Sequence, residues 1–290
     1  PVARPSSQSA PGLVADPAIR FGTLPNGMRY ALRKNATPPG QASLRLRIAA
    51  GSMMETDERQ GLAHFLEHMA FNGPRTVPEG EMVKTLERLG LAFGADTNAA
   101  TSFDDTTYRL DLPKTDNETV DTSLKLMRDV ASELTIAQDA IERERGVVLS
   151  EERARDTPSY RIFTDRFSFL LKDQRPPMRL PIGKVEVLKT APRDQLAAYY
   201  QAYYRPERTL LVATGDDKHE SNCCHSRPRH RGHAGAATNN TVVFERQVIE
   251  DILRQIDGVL YQEPTTRKYV LRLIREDYTL GLLPILDESN

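Results

Sequence analysis

Between Phe21 and Gly215 the apolar residues switch repeatedly from a two-residue period to a three-to-four-residue period and back. That alternation restricts the chain to a layered fold in which helices cover a sheet. Phe21–Tyr30 holds two short apolar stretches around Pro25-Asn26-Gly27, which predicts a hairpin. Ala42–Ala50 places Leu44, Leu46 and Ile48 on one face and Arg45 and Arg47 on the other, the pattern of a half-buried strand. Thr106–Leu112 and Thr209–Ala213 read as further strands. Helical spacing predicts helices over Gly61–Phe71, Glu79–Leu89, Val120–Leu134, Gln138–Arg155 and Asp194–Tyr204, the first stopped by Asn72-Gly73-Pro74. The expected fold is α+β, a mixed or antiparallel sheet flanked by helices, spanning residues 18–215.

The flanks differ. Residues 1–17 are rich in Pro, Ala and Ser and are expected to form a flexible leader. Residues 216–240 hold four of the six histidines and both cysteines but no large apolar residues, so they read as a low-complexity segment. Residues 241–290 are expected to be a helical tail, with Val243 to Leu260 along one apolar stripe. The cluster of Cys223, Cys224 and His225 with His219, His230 and His233 lacks zinc-finger spacing, and adventitious metal affinity is all that it implies.

Charge excludes two classes of partner. Thirty-nine Lys and Arg against 40 Asp and Glu leave a net charge of −1, so there is no overall positive field to hold nucleic acid or an anionic membrane. The longest apolar runs, such as Leu210–Ala213, fall far short of the ~20 residues that a membrane-spanning helix needs.

Chemistry concentrates in His64-Phe-Leu-Glu-His68. On a helix, His64 and His68 are one turn apart and present both imidazoles to one metal ion. Glu67 shares that side, where a carboxylate beside a metal-activated water can take its proton. Leu62, Phe65, Leu66 and Met69 would seat the rest of the helix in a core. Zinc requires a third protein ligand and an open position. Glu144 and Glu151, two turns apart on one stripe of the Gln138–Arg155 helix, are the candidates: one to bind, the other to orient a ligating histidine.

His64-Phe-Leu-Glu-His68-Met-Ala-Phe-Asn-Gly73 and Ile141-Glu-Arg-Glu-Arg-Gly-Val-Val-Leu-Ser-Glu151 resemble the inverted-zinc-motif metallopeptidases. This is the family of pitrilysin, insulin-degrading enzyme and mitochondrial processing peptidase. The resemblance runs from Phe21–Gly27 through Pro181-Ile-Gly183 to Tyr204-Arg-Pro206 and Thr214-Gly215, about two-thirds of the chain, and is nearest to bacterial secreted or periplasmic zinc proteases. It implies a metallohydrolase sandwich with one zinc ion on His64, His68 and Glu151, Glu67 as catalytic base, and Glu144 supporting the site without binding metal. It also implies that Asp96–Ser102 is an edge strand that pairs with an extended peptide substrate, with Asn98 and Ala99 in contact. Family members close two homologous halves over the substrate, so a second half or subunit is expected. The family pattern stops at Gly215, and a frameshift or truncated reading is expected to account for residues 216–290.

Two other functions fit the same residues. A non-catalytic scaffold subunit would share the fold, and S-ribosylhomocysteine lyases use a related H-x-x-E-H with cysteine as third ligand.

Overall fold

The computed structural model describes residues 15–216. Residues 1–14 of the expected leader, the His/Cys segment beyond Asp216 and the expected helical tail at 241–290 lie outside the described residues. The described residues form six strands: β1 (Ile19–Thr23), β2 (Arg29–Lys34), β3 (Ala42–Ile48), β4 (Thr97–Thr101), β5 (Thr106–Leu112) and β6 (Thr209–Gly215). They build one mixed sheet in the order β1-β2-β6-β3-β5-β4, with β2 and β6 parallel and every other pair antiparallel.

The β1–β2 hairpin turns where the sequence predicts. Gly27 adopts a positive φ of 88°, and its N–H donates to the Leu24 carbonyl at 2.9 Å while Leu24 N–H bonds Met28 O at 2.7 Å. Seven helices join these strands: α1 (Leu62–Asn72), α2 (Glu81–Arg88), α3 (Asn117–Ser132), α4 (Gln138–Arg155), α5 (Pro158–Leu170), α6 (Val185–Thr190) and α7 (Arg193–Tyr203). Five match the periodicity within a few residues. Periodicity predicts neither α5 nor α6, because α5 buries no side chain and α6 has only six residues.

Leu44, Leu46 and Ile48 of β3 join Leu110 and Leu112 of β5 and Leu211 and Ala213 of β6 in one core with α1. The opposite face of the sheet is half-exposed and carries ion pairs such as Arg45–Asp111 at 2.8 Å. Eight of the eleven residues of α1 are buried, so this helix runs through the interior, packed against β4, β5, α4 and α7. Its start is held in two ways. The buried Glu55 carboxylate accepts from the Gly61 and Ala63 N–H groups at 2.9 and 2.8 Å, satisfying donors that a helix N-terminus leaves open. Gly61, at φ 102°, lies against Gly183 so closely that a Cβ on Gly183 would sit 2.3 Å from the Gly61 Cα.

Candidate metal centre

His64 and His68 project from successive turns of α1, and Glu151 reaches them from α4. The imidazole Nε2 atoms are 3.3 Å apart, and Glu151 Oε2 lies 3.2 Å from His68 Nε2 and 3.5 Å from His64 Nε2. A tetrahedral ion with bonds of 2.0–2.2 Å separates neighbouring donors by about 3.4 Å. The triangle therefore fits a zinc-sized dication without rearrangement, and two nitrogens with one carboxylate oxygen are donors that zinc accepts.

The neighbours set the orientation of these ligands. Glu144, two turns before Glu151 on α4, approaches His68 Nδ1 at 3.4 Å. An N–H donated to that carboxylate leaves Nε2 with its lone pair toward the triangle. Arg155 occupies the other oxygen of Glu151, with Nε 3.1 Å and Nη2 2.5 Å from Oε1. Arg155 was not among the predicted site residues, although its spacing of four from Glu151 is the ordinary helical ion-pair spacing.

The surroundings set the protonation of the three groups differently. Burial, reinforced by the neighbouring His68, pushes His64 down to about 4, so its ring is neutral at pH 7. Burial pulls His68 down as well, but Glu144, Glu67 and Glu151 outweigh it and hold it above the usual histidine range. Burial raises Glu151, yet Arg155 and the two histidines more than offset this and keep its carboxyl below the usual range. A bound dication would favour the deprotonated form of every ligand.

Glu67 is buried on the same helix, close enough for its charge to act on His68. Burial raises its carboxyl above the usual range, opposed by a hydrogen bond from Thr101 Oγ1 to Glu67 Oε2 at 2.5 Å. Thr101 falls inside the predicted edge strand, but nothing in the sequence pairs it with Glu67.

That strand is β4, at the end of the sheet. Ser102 N–H bonds Asp105 O, and Asp111 N–H bonds Asp96 O, so the even-numbered residues face β5. By the same alternation, Ala99 and Thr101 turn their main-chain groups toward the open edge. The exposed Asn98 side chain accepts from Ala99 N–H at 2.9 Å, so Asn98, whose main chain faces β5, reaches the edge with its side chain and covers the Ala99 donor there.

Residues 30–168 match the family model for Insulinase (Peptidase family M16). The chain carries an M16 peptidase domain. It is 36% identical to a protein named "Probable zinc protease PqqL" of Escherichia coli over 212 residues, which is 73% of this chain and 23% of that protein. The protein of the same name from Haemophilus influenzae is 36% identical over 201 residues, covering 69% of this chain and 22% of the relative. The solved first half of the periplasmic protease PqqL from Escherichia coli superposes with a TM-score of 0.73 and 30% identity over 85% of this chain and 47% of that structure. The M16 chain thus spans less than a quarter of the length of these curated relatives. Among the described residues no helix is long and apolar enough to cross a membrane.

Proposed function

We infer that residues 18–215 are the metal-binding module of a zinc endopeptidase that hydrolyses extended or unfolded peptides. The observation that carries this reading is the triangle of His64 Nε2, His68 Nε2 and Glu151 Oε2, with Glu67 buried beside it. One zinc ion per chain would be held by these three atoms, and it supplies Lewis acidity toward the scissile carbonyl and toward water.

The protein groups do the rest. Glu67, weakened as an acid by burial, accepts a proton from the attacking water and passes it to the departing amine. Thr101 fixes the carboxylate that does this. Glu144 holds the His68 ring in register, and Arg155 keeps Glu151 Oε1 occupied, which would leave Oε2 to hold the ion. The peptide lies along the open edge of β4 as an added strand, beside Asn98 and Ala99. The names of the relatives support a periplasmic or secreted location, and the short span of the chain against them supports a second homologous half that completes the catalytic chamber.

Zinc content and peptide cleavage test this reading together. The wild-type chain should bind one zinc ion, Glu67→Gln should keep the metal and lose cleavage, and Glu151→Gln should lose most of the metal. Full zinc occupancy in Glu151→Gln, or cleavage that survives a chelator, would overturn it.

A further inference from the structure

Among the described residues Arg179 is the only arginine or lysine that is buried, at 5% exposure. It follows the short 3-10 turn Pro176–Met178 that comes after α5. Its guanidinium is directed at the loop between β3 and α1. Nε donates to Glu55 O at 3.3 Å, and Nη2 pairs with the Asp57 carboxylate. Arg175 donates to the same Glu55 carbonyl at 2.8 Å, and Ser52 Oγ donates back to Arg179 O at 2.5 Å. Burying a charge is costly, and apolar residues of similar volume often serve stability as well or better. What an arginine fork adds is direction, because its planar donors hold several partners at fixed angles.

The loop held in this way joins two parts of the site. At its start, the Ser52 and Met53 N–H groups donate to Ser102 O and Phe103 O at 3.1 and 2.7 Å, in the turn that follows β4. Further on, the Glu55 carboxylate caps α1 through Gly61 and Ala63, the residue before His64. Arg179 acts on both ends of Glu55. It holds the carbonyl by a hydrogen bond. Burial raises the carboxyl, while the N–H groups of the helix start and the Arg179 charge oppose that and favour the ionised form. A shift of Glu55 would therefore move the cap and, through it, the first turn of α1.

We propose that Arg179 is a positioning residue for the metal centre: its grip on Glu55 and Asp57 sets the turn from which His64 projects and the spacing between that turn and β4. The proposal rests on the peptidase reading and adds to it a residue outside the triangle that sets the triangle's shape. A misplacement on the order of 1 Å can cost about 100-fold in rate, so a clamp that touches neither metal nor substrate can still govern the reaction.

The test uses the full chain carrying Arg179→Lys, which keeps the charge but not the fork, and Arg179→Met, which keeps neither. Amide hydrogen exchange is followed at Gly61 and Ala63 and, for comparison, at Leu44 and Leu46 of β3. The two amides under Glu55 should exchange about tenfold faster in Arg179→Lys and faster still in Arg179→Met, with β3 unchanged. If Arg179→Met does not fold, Arg179→Lys decides alone. Cobalt(II) in the zinc position reports ligand geometry through its visible absorption bands, and these should shift from the wild-type positions in every variant that folds. Exchange that rises equally in β3, exchange unchanged in Arg179→Lys, or cobalt bands identical to wild type would overturn the proposal. Metal uptake and peptide cleavage by the wild-type chain read the parent proposal separately. A wild type that binds neither zinc nor cobalt, with Gly61 and Ala63 still losing protection in Arg179→Lys, keeps the clamp and loses the peptidase. A wild type that binds zinc and cleaves, with exchange and cobalt bands untouched by the substitutions, does the reverse.

Discussion

Thr101 Oγ1 donates to Glu67 Oε2 at 2.5 Å, joining the edge strand to the buried carboxylate of the zinc-motif helix. That hydroxyl opposes the effect of burial on Glu67, so its removal raises the carboxyl further. A base acts only when deprotonated. In Thr101→Val the acid limb of the kcat/KM profile for peptide cleavage should therefore move to higher pH, with about a tenfold loss of activity at neutral pH. Zinc content should match the wild type. A parallel loss of zinc would show that Thr101 supports the fold of the site rather than the base.

Glu144 contacts His68 Nδ1 and lies outside the triangle. Glu144→Gln should leave the fold intact and weaken zinc binding by about 10- to 100-fold, the usual cost of losing an outer partner of a metal-bound histidine. Competition with a calibrated chelator measures this. An affinity equal to wild type would mean that the ring is oriented by other means.

Burial pushes Glu55 up to about 7, against the hydrogen bonds it accepts from Gly61 and Ala63. Its pKa in the folded chain thus lies above its unfolded value of 4.5. Between those two values the folded state binds more protons, and stability falls as pH rises, by up to about 3 kcal/mol across the window. Urea unfolding midpoints taken across pH 4.5 to 7.5 should decline in the wild type and decline less in Glu55→Gln. Identical slopes in the two proteins would assign the pH dependence to other groups.

Gly183 presses on Gly61 at the start of α1, and a Cβ there would also meet Gln60 O at 2.8 Å. Gly183 adopts a φ of 82°, which adds backbone strain to any substitution. Gly183→Ala should destabilise the chain by about 2–4 kcal/mol and lower zinc affinity with it, because the turn that moves is the one preceding His64. Gly40, also at positive φ but with nothing within 4 Å of its added Cβ, provides the control: Gly40→Ala should cost only about 1 kcal/mol.

Much of this molecule was legible because local signals and tertiary demands coincide. In α1 the apolar stripe and the paired histidines occupy one short helix, so periodicity and chemistry identify the same residues. Glu144 and Glu151 share a stripe for the same reason, although periodicity alone left open which of them closes the triangle. What could not be read is what depends on distant contacts. Glu55 and Thr101 look like ordinary polar residues until folding brings one under the first turn of α1 and the other against Glu67. In α5 the aromatic residues turn partly outward, so no apolar stripe marks the helix, even though Thr157 caps it through its side chain and Pro158 opens it.

The position of β6 has a consequence for biosynthesis. This strand, made after every other strand described, inserts between β2 and β3 and is the sole link within the sheet between the first hairpin and strands β3, β5 and β4. A nascent chain halted before Thr209 would hold two detached ribbons with unpaired inner edges, both liable to stick to other chains. Correct assembly of this sheet therefore waits on β6, long after the histidines have left the ribosome.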